Sequence, residues 1–176
     1  MGTDEVACGQ RWLGIDPGLN TTGYGVIQNT GSRLCLLEAG IIRTKRGQTT
    51  TKRLLDLHAG LTEVLRQWQP GHVSLEQLYS HYERPRTAIL MGHARGVILL
   101  CAAQSGIEVE SLEPTKVKKL LTGNGRASKL QVQLAVKIQL SLSATPEPAD
   151  VADALAIALC GFHNSKIGRG VVGQKI

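Results

Sequence analysis

A chain of 176 residues that is 42% hydrophobic and carries a formal net charge of +6 at pH 7 is not a disordered segment, and it fits one globular domain with a real core. Aromatics are only 3%, so that core must rest on Leu, Ile, Val and Ala. The basic balance suits a nucleic acid or another anionic surface, and equally a merely soluble basic protein.

In chain order, the first elements are short apolar runs at 12–16, 23–28 and 34–43, separated by Gly, Asn and Ser, which predict an antiparallel meander of three strands. Leu54, Leu57, Leu61, Val64 and Trp68 then recur at steps of three and four, predicting a helix over 50–68 that Pro70-Gly71 stops. Lys52, Asp56, Glu63 and Arg66 lie off its apolar stripe. A strand at 72–77 follows this crossover and is expected to run parallel to a neighbour. Residues 86–105 read as a long helix, apolar over much of its circumference, in which Gly92 and Gly96 leave room for another backbone.

A fifth strand fits 107–112. Beyond it, Val117, Leu120 and Leu121 give a short helix one face, with Lys116, Lys118 and Lys119 on the other. Thr122-Gly123-Asn124-Gly125 breaks that helix. Helices over 128–140 and 148–163 follow, with Pro148 suited to a first turn. The order βββαβαβ followed by helices predicts an α/β fold: a five-stranded mixed sheet, three strands antiparallel and the later ones parallel, flanked by helices. One domain is expected over 12–163, with an N-terminal extension at 1–11 and a flexible, glycine-rich tail at 164–176.

Cys8, Cys35, Cys101 and Cys160 are dispersed, with no CxxC pair, so a zinc site is not expected. They read as reduced thiols in a cytoplasmic protein. No apolar stretch approaches the ~20 residues that span a bilayer, and no signal-peptide pattern opens the chain. No membrane partner is expected.

Four acids stand in awkward places. Asp16 ends the run Trp12-Leu13-Gly14-Ile15, Glu76 ends Val73-Ser74-Leu75, and Asp150 and Asp153 open an apolar helix three residues apart. Singly, each has a plain explanation: a turn former, a solvated strand end, and two acids favoured by a helix dipole. Together they point further. If the first and fourth strands are parallel neighbours, Asp16 and Glu76 end side by side, while Asp150 and Asp153 share a helix face. A helix packed over that sheet edge would gather all four, and hard divalent cations would relieve their repulsion. In a basic chain, that combination suggests metal-dependent chemistry on nucleic acid.

Leu13-Gly14-Ile15-Asp16-Pro17-Gly18, Thr22-Gly23-Tyr24-Gly25-Val26-Ile27, Leu75-Glu76-Gln77, His93-Ala94-Arg95-Gly96-Val97, Gln131-Val132-Gln133 and the stretch Ala149–Ala158 together resemble, in order and spacing, the RuvC family of bacterial Holliday-junction resolvases. The resemblance runs from about Trp12 to His163. It implies an RNase H-like fold and a homodimer that places symmetric nicks in two opposed strands of a four-way DNA junction, in recombination and repair. It assigns Asp16, Glu76, Asp150 and Asp153 as ligands of two Mg2+ ions per active site, for which Mn2+ can substitute. Phosphodiester hydrolysis would leave a 5′-phosphate.

By the same resemblance, Lys118 and Lys129 match lysines close to the DNA, with Lys129 at the scissile phosphate, although a solvated basic face also explains such residues. Arg126, in the glycine-rich break, suits a phosphate contact. Tyr79 matches a base-stacking aromatic; Tyr82 could share that role, in a polar loop that also offers Arg84. The Gly92–Gly96 helix resembles the family's subunit-pairing segment, or else packs closely on its own sheet. Branch-migration proteins of the RuvA and RuvB type are implied as partners. Two alternatives remain on this reading: another RNase H-like nuclease, such as one for RNA·DNA hybrids, and a non-catalytic junction-binding protein.

Overall fold

The structure is a computed structural model that describes residues 10–78 and 85–171. The expectations placed on Tyr79, Tyr82 and Arg84, like those on the ends of the chain, lie outside the described residues. The elements are β1 (Arg11–Asp16), β2 (Thr21–Asn29), β3 (Leu34–Arg43), α1 (Thr50–Trp68), β4 (His72–Glu76), α2 (Pro85–Gln104), β5 (Val109–Leu112), α3 (Pro114–Thr122), α4 (Lys129–Gln139) and α5 (Ala149–Val171). They build one five-stranded sheet in the order β3-β2-β1-β4-β5. β1 pairs antiparallel with β2, and β2 with β3. β4 runs parallel to both β1 and β5. This is the mixed α/β architecture expected from the pattern.

The strands alternate between two cores, as a two-residue period requires. Leu13 and Ile15 of β1 join Val26, Leu61, Val73, Leu75 and Ile98 in the core under α1 and α2. Trp12 points the other way, into a core that α3, α4 and α5 supply. α1 buries Leu57, Leu61, Val64 and Leu65 and closes on Gln69, in left-handed conformation at φ 44°, just ahead of Pro70. Its outer face carries the Lys52–Asp56 ion pair at 3.2 Å.

α5 lies unusually close to the sheet, because β1 and β2 present glycine beneath it. A Cβ on Gly14 would collide with the carbonyl oxygen of Ala154 and the amide nitrogen of Ala158, and one on Gly23 with the carbonyl oxygen of Asp150. Glycine in a strand weakens it intrinsically, and close backbone approach is what it offers in return. α5 itself is buried nearly all round from Val151 to Phe162.

Several boundaries move. α5 continues to Val171, so residues 164–171, where a flexible tail was expected to start, are helical. Asn164 Nδ2 donates to Glu110 Oε1 at 2.7 Å and Lys166 sits 4.5 Å over the Phe162 ring, which ties down the start of that segment. Pro148 precedes the first turn instead of lying in it: its carbonyl accepts from the amides of Val151 and Ala152. β5 begins at Val109, because Ile107 N–H still bonds back to Ala102 O at the end of α2.

α2 is also more exposed than a core helix. Contrary to the expectation that no apolar stretch is that long, Arg86–Gln104 reaches a mean hydropathy of 1.3 over a length that could cross a bilayer, and only 22% of that window is buried. Its inner face, with Ala94, Ile98, Cys101 and Ala102, is buried and packs on α1. Its outer face shows Ile89, Leu99 and Leu100. A Cβ on Gly92 or Gly96 would meet nothing, so close packing of these glycines on their own sheet does not occur.

A candidate metal and nucleic-acid site

The parallel register pairs Ile15 with Leu75, so Asp16 and Glu76 leave adjacent strands at the same edge of the sheet. Both lie on the α5 face, two residues beyond Gly14 and Ser74. The turn after Asp16 is fixed by hydroxyls: Thr22 Oγ1 donates to Gly18 O at 2.6 Å and buried Thr44 Oγ1 to Leu19 O at 2.6 Å. Seated by Gly14 and Gly23, the first turn of α5 brings Asp150 and Asp153 to this edge. Asp16, Glu76, Asp150 and Asp153 line one cavity of about 330 Å³, together with Lys118 and Lys129.

The electrostatics show four acids crowded together. Burial, followed by the charges of Glu76 and Asp153, a hydrogen bond to Glu76 and the charge of Asp150, pushes the Asp16 carboxyl up to about 8. Burial also raises Glu76; its hydrogen bond with Asp16 opposes that rise, Asp153 adds to it, and Lys118 and Lys129 pull it down. The hydrogen bond between the two thus favours the protonated form of Asp16 and the ionised form of Glu76. Asp153 is raised chiefly by burial, against the pull of Lys129. Lys129 Nζ stands 3.8 Å from Asp153 Oδ2 with its side chain 75% exposed, an ion pair of small intrinsic worth whose value is in aim.

Local sequence explains that aim. Gly123, in left-handed conformation, ends α3, and Ser128 opens α4 with a reciprocal capping box to Gln131. Lys129 is thus the first residue of a firmly started helix. Arg126, whose amide bonds Asn124 Oδ1 at 2.9 Å, is exposed and does not line the cavity. Arg95 was not singled out for the site. It comes from α2 and donates from its guanidinium to the main-chain carbonyl of Glu76 at 2.5 Å and to Ser111 Oγ at 2.6 Å. A cation inside an apolar run is the same signal that drew attention to the acids.

Among the described residues no three His, Cys, Asp or Glu side chains are already gathered to hold an ion. As chemistry the donor set fits a hard divalent cation, since every candidate ligand is a carboxylate oxygen. Asp16 must lose its proton to serve, so proton and metal compete. Mg2+ is expected to raise the melting temperature much more at about pH 8.5 than at about pH 6. Melts with Mg2+ against EDTA at both values check this, and equal shifts would contradict the competition.

The comparisons agree with the geometry. The family model described as crossover junction endodeoxyribonuclease RuvC matches residues 12–161. A crossover junction endodeoxyribonuclease RuvC of Rhodopirellula baltica is 64% identical over 151 residues, 86% of this chain and 85% of that one. The protein of that name from Pelotomaculum thermopropionicum is 44% identical over 152 residues, 86% and 92% of the two chains. Among solved structures, Thermus thermophilus RuvC in complex with a Holliday junction substrate superposes with a TM-score of 0.86 at 34% identity, covering 90% of this chain and 96% of that one. The yeast mitochondrial Holliday junction resolvase, at 14% identity and a TM-score of 0.63, shares the fold. Carboxylates at the ends of β1 and β4, a helix seated on glycines to complete the set, and sequence identity across the whole domain lead to one conclusion: this chain belongs to the RuvC family.

Proposed function

We propose that this chain is a metal-dependent endonuclease that resolves four-way DNA junctions by paired symmetric nicks, in recombination and repair. The observation that carries the reading is the convergence of Asp16, Glu76, Asp150 and Asp153 in one lysine-rimmed cavity of a RuvC-family chain. These four acids would hold two Mg2+ ions, with Mn2+ able to substitute. When bound, such ions supply Lewis-acid stabilisation of the attacking and leaving oxygens of a phosphodiester.

The chain's own residues do the rest. Asp16, which feels the charges of the other three acids, would serve as a ligand alongside them. Lys118 and Lys129 favour the ionised form of Glu76 and Asp153, and Lys129 offers an exposed ammonium to the scissile phosphate. A water adds its oxygen to phosphorus as the bond to O3′ breaks; its protons end on O3′ and in solvent, leaving a 5′-phosphate and a 3′-hydroxyl. Arg126 contributes a phosphate contact outside the cavity, and Tyr79, Tyr82 and Arg84 contact the opened junction.

Paired nicks require two active sites in one complex. The exposed Ile89, Leu99 and Leu100 on α2, beside the open surfaces of Gly92 and Gly96, support a homodimer through that helix. Branch-migration proteins of the RuvA and RuvB type would deliver the junction. Cys35, Cys101 and Cys160 as free thiols fit a cytoplasmic setting.

A cleavage panel of four-way junction, linear duplex and RNA·DNA hybrid tests the reading. With Mg2+ the junction alone is expected to be cut, at symmetric positions and with ends that a ligase reseals; with EDTA no substrate is cut. Preferential cleavage of the hybrid would replace this reading with a ribonuclease one.

A further inference from the structure

We propose that Arg95 is a positioning residue for the metal site: its guanidinium ties the main chain at Glu76 to β5 and so holds the Glu76 carboxylate where an ion needs it. This inference rests on the reading of Glu76 as a metal ligand. Arg95 lies on α2, half-buried, and donates to both the Glu76 carbonyl and Ser111 Oγ.

The reason a side chain is needed lies in β1. Parallel strands bond each carbonyl to an amide of the neighbour. Carried one step beyond Ile15–Leu75, the register sets Asp16 beside Glu76, and the residue after Asp16 is Pro17, which has no N–H to offer. The ladder with β1 therefore ends at the metal-binding edge. On the β5 side the last bond is Gln77 N–H to Leu112 O at 2.8 Å. Arg95 supplies donors where the proline removes one, and its second bond fixes the guanidinium to Ser111 of the next strand.

Its action runs through the backbone. Burial acts most strongly on the Glu76 carboxyl, followed by Asp16, Asp153, Lys118 and Lys129; Arg95 bonds its main chain. α2 also carries the exposed apolar face, so a shift of α2 on assembly would reach the Glu76 main chain through Arg95.

Outer partners that orient metal ligands typically affect metal affinity about 10–100-fold. In the full-length protein without DNA, calorimetry should show Arg95→Ala weakening Mn2+ binding roughly tenfold. Arg95→Lys, which keeps one donor, should recover part of it, with four-way junction affinity in EDTA unchanged. Ser111→Ala, which releases only one end of the guanidinium, should weaken Mn2+ binding by a smaller factor, and it serves as the decisive variant if Arg95→Ala does not fold. Glu76→Gln is the reference. If it weakens Mn2+ binding while the folded Arg95 and Ser111 variants bind Mn2+ as the wild type does, the positioning role is refuted and the metal site stands. If Glu76→Gln itself has no effect, the assignment of Glu76 falls, and the inference with it.

Discussion

Asp16→Asn is expected to abolish junction cleavage and, at the same time, to make the metal-free protein more stable. The first effect follows from the place of Asp16 among the other three acids: losing a central electrostatic element of such a site costs roughly a thousandfold in rate or more. Junction binding should survive, because cations outside the cavity supply most of it. The second effect follows from the carboxyl being pushed from 3.8 up to about 8 by burial and by its neighbours. Between those two values the folded protein holds a proton that the unfolded chain has released, so stability falls as pH rises through that window. Asn cannot ionise, and its amide can donate to Glu76 in place of the lost carboxyl proton.

The variant should therefore match the wild type at about pH 4 and exceed it at about pH 8.5 by on the order of 1–3 kcal/mol. Added Mg2+ should stabilise the wild type and do much less for the variant. Thermal melts in EDTA at the two pH values, with a junction-cleavage time course, test both halves. A cleaving variant, or one destabilised at about pH 8.5, would contradict the account.

How much of this was legible in the sequence depended on what kind of neighbour each residue has. α1 was readable to the residue, because one stripe with a 3.6-residue period faces the interior. Convergence of the acids was readable as a possibility, since strand ends and an i, i+3 pair have local geometry. The missing step was what seats α5 on the sheet. Gly14 and Gly23 meet the backbone of Asp150, Ala154 and Ala158, and no local pattern announces a partner more than a hundred residues away. The role of Arg95 was not legible, because its partners are a main-chain carbonyl and a serine, which carry no charge pattern to match. The extent of α5 was not legible for a third reason: residues 164–171 include Gly168, Gly170, Lys166 and Arg169, with no apolar period to carry the helix onward.

The seating of α5 carries the second large effect. Gly14→Ala adds a single methyl group, yet the atoms it would strike are the Ala154 carbonyl oxygen and the Ala158 amide nitrogen, both in the middle of a helix. No rotamer change can relieve backbone collisions, so either α5 lifts or β1 bends. Overpacking of this kind costs about 3 kcal/mol. Because Asp150 and Asp153 travel with the helix while Asp16 and Glu76 stay with the sheet, the two halves of the site separate. A displacement near 1 Å in such a constellation costs roughly a hundredfold in rate. Gly71→Ala is the control: its Cβ would meet nothing, and stability should stay within about 0.5 kcal/mol of wild type. Urea melts of both variants, with cleavage measured where Gly14→Ala is still fully folded, separate unfolding from misplacement. A folded Gly14→Ala protein that cuts at the wild-type rate would show that the acids do not depend on how closely α5 lies on the sheet.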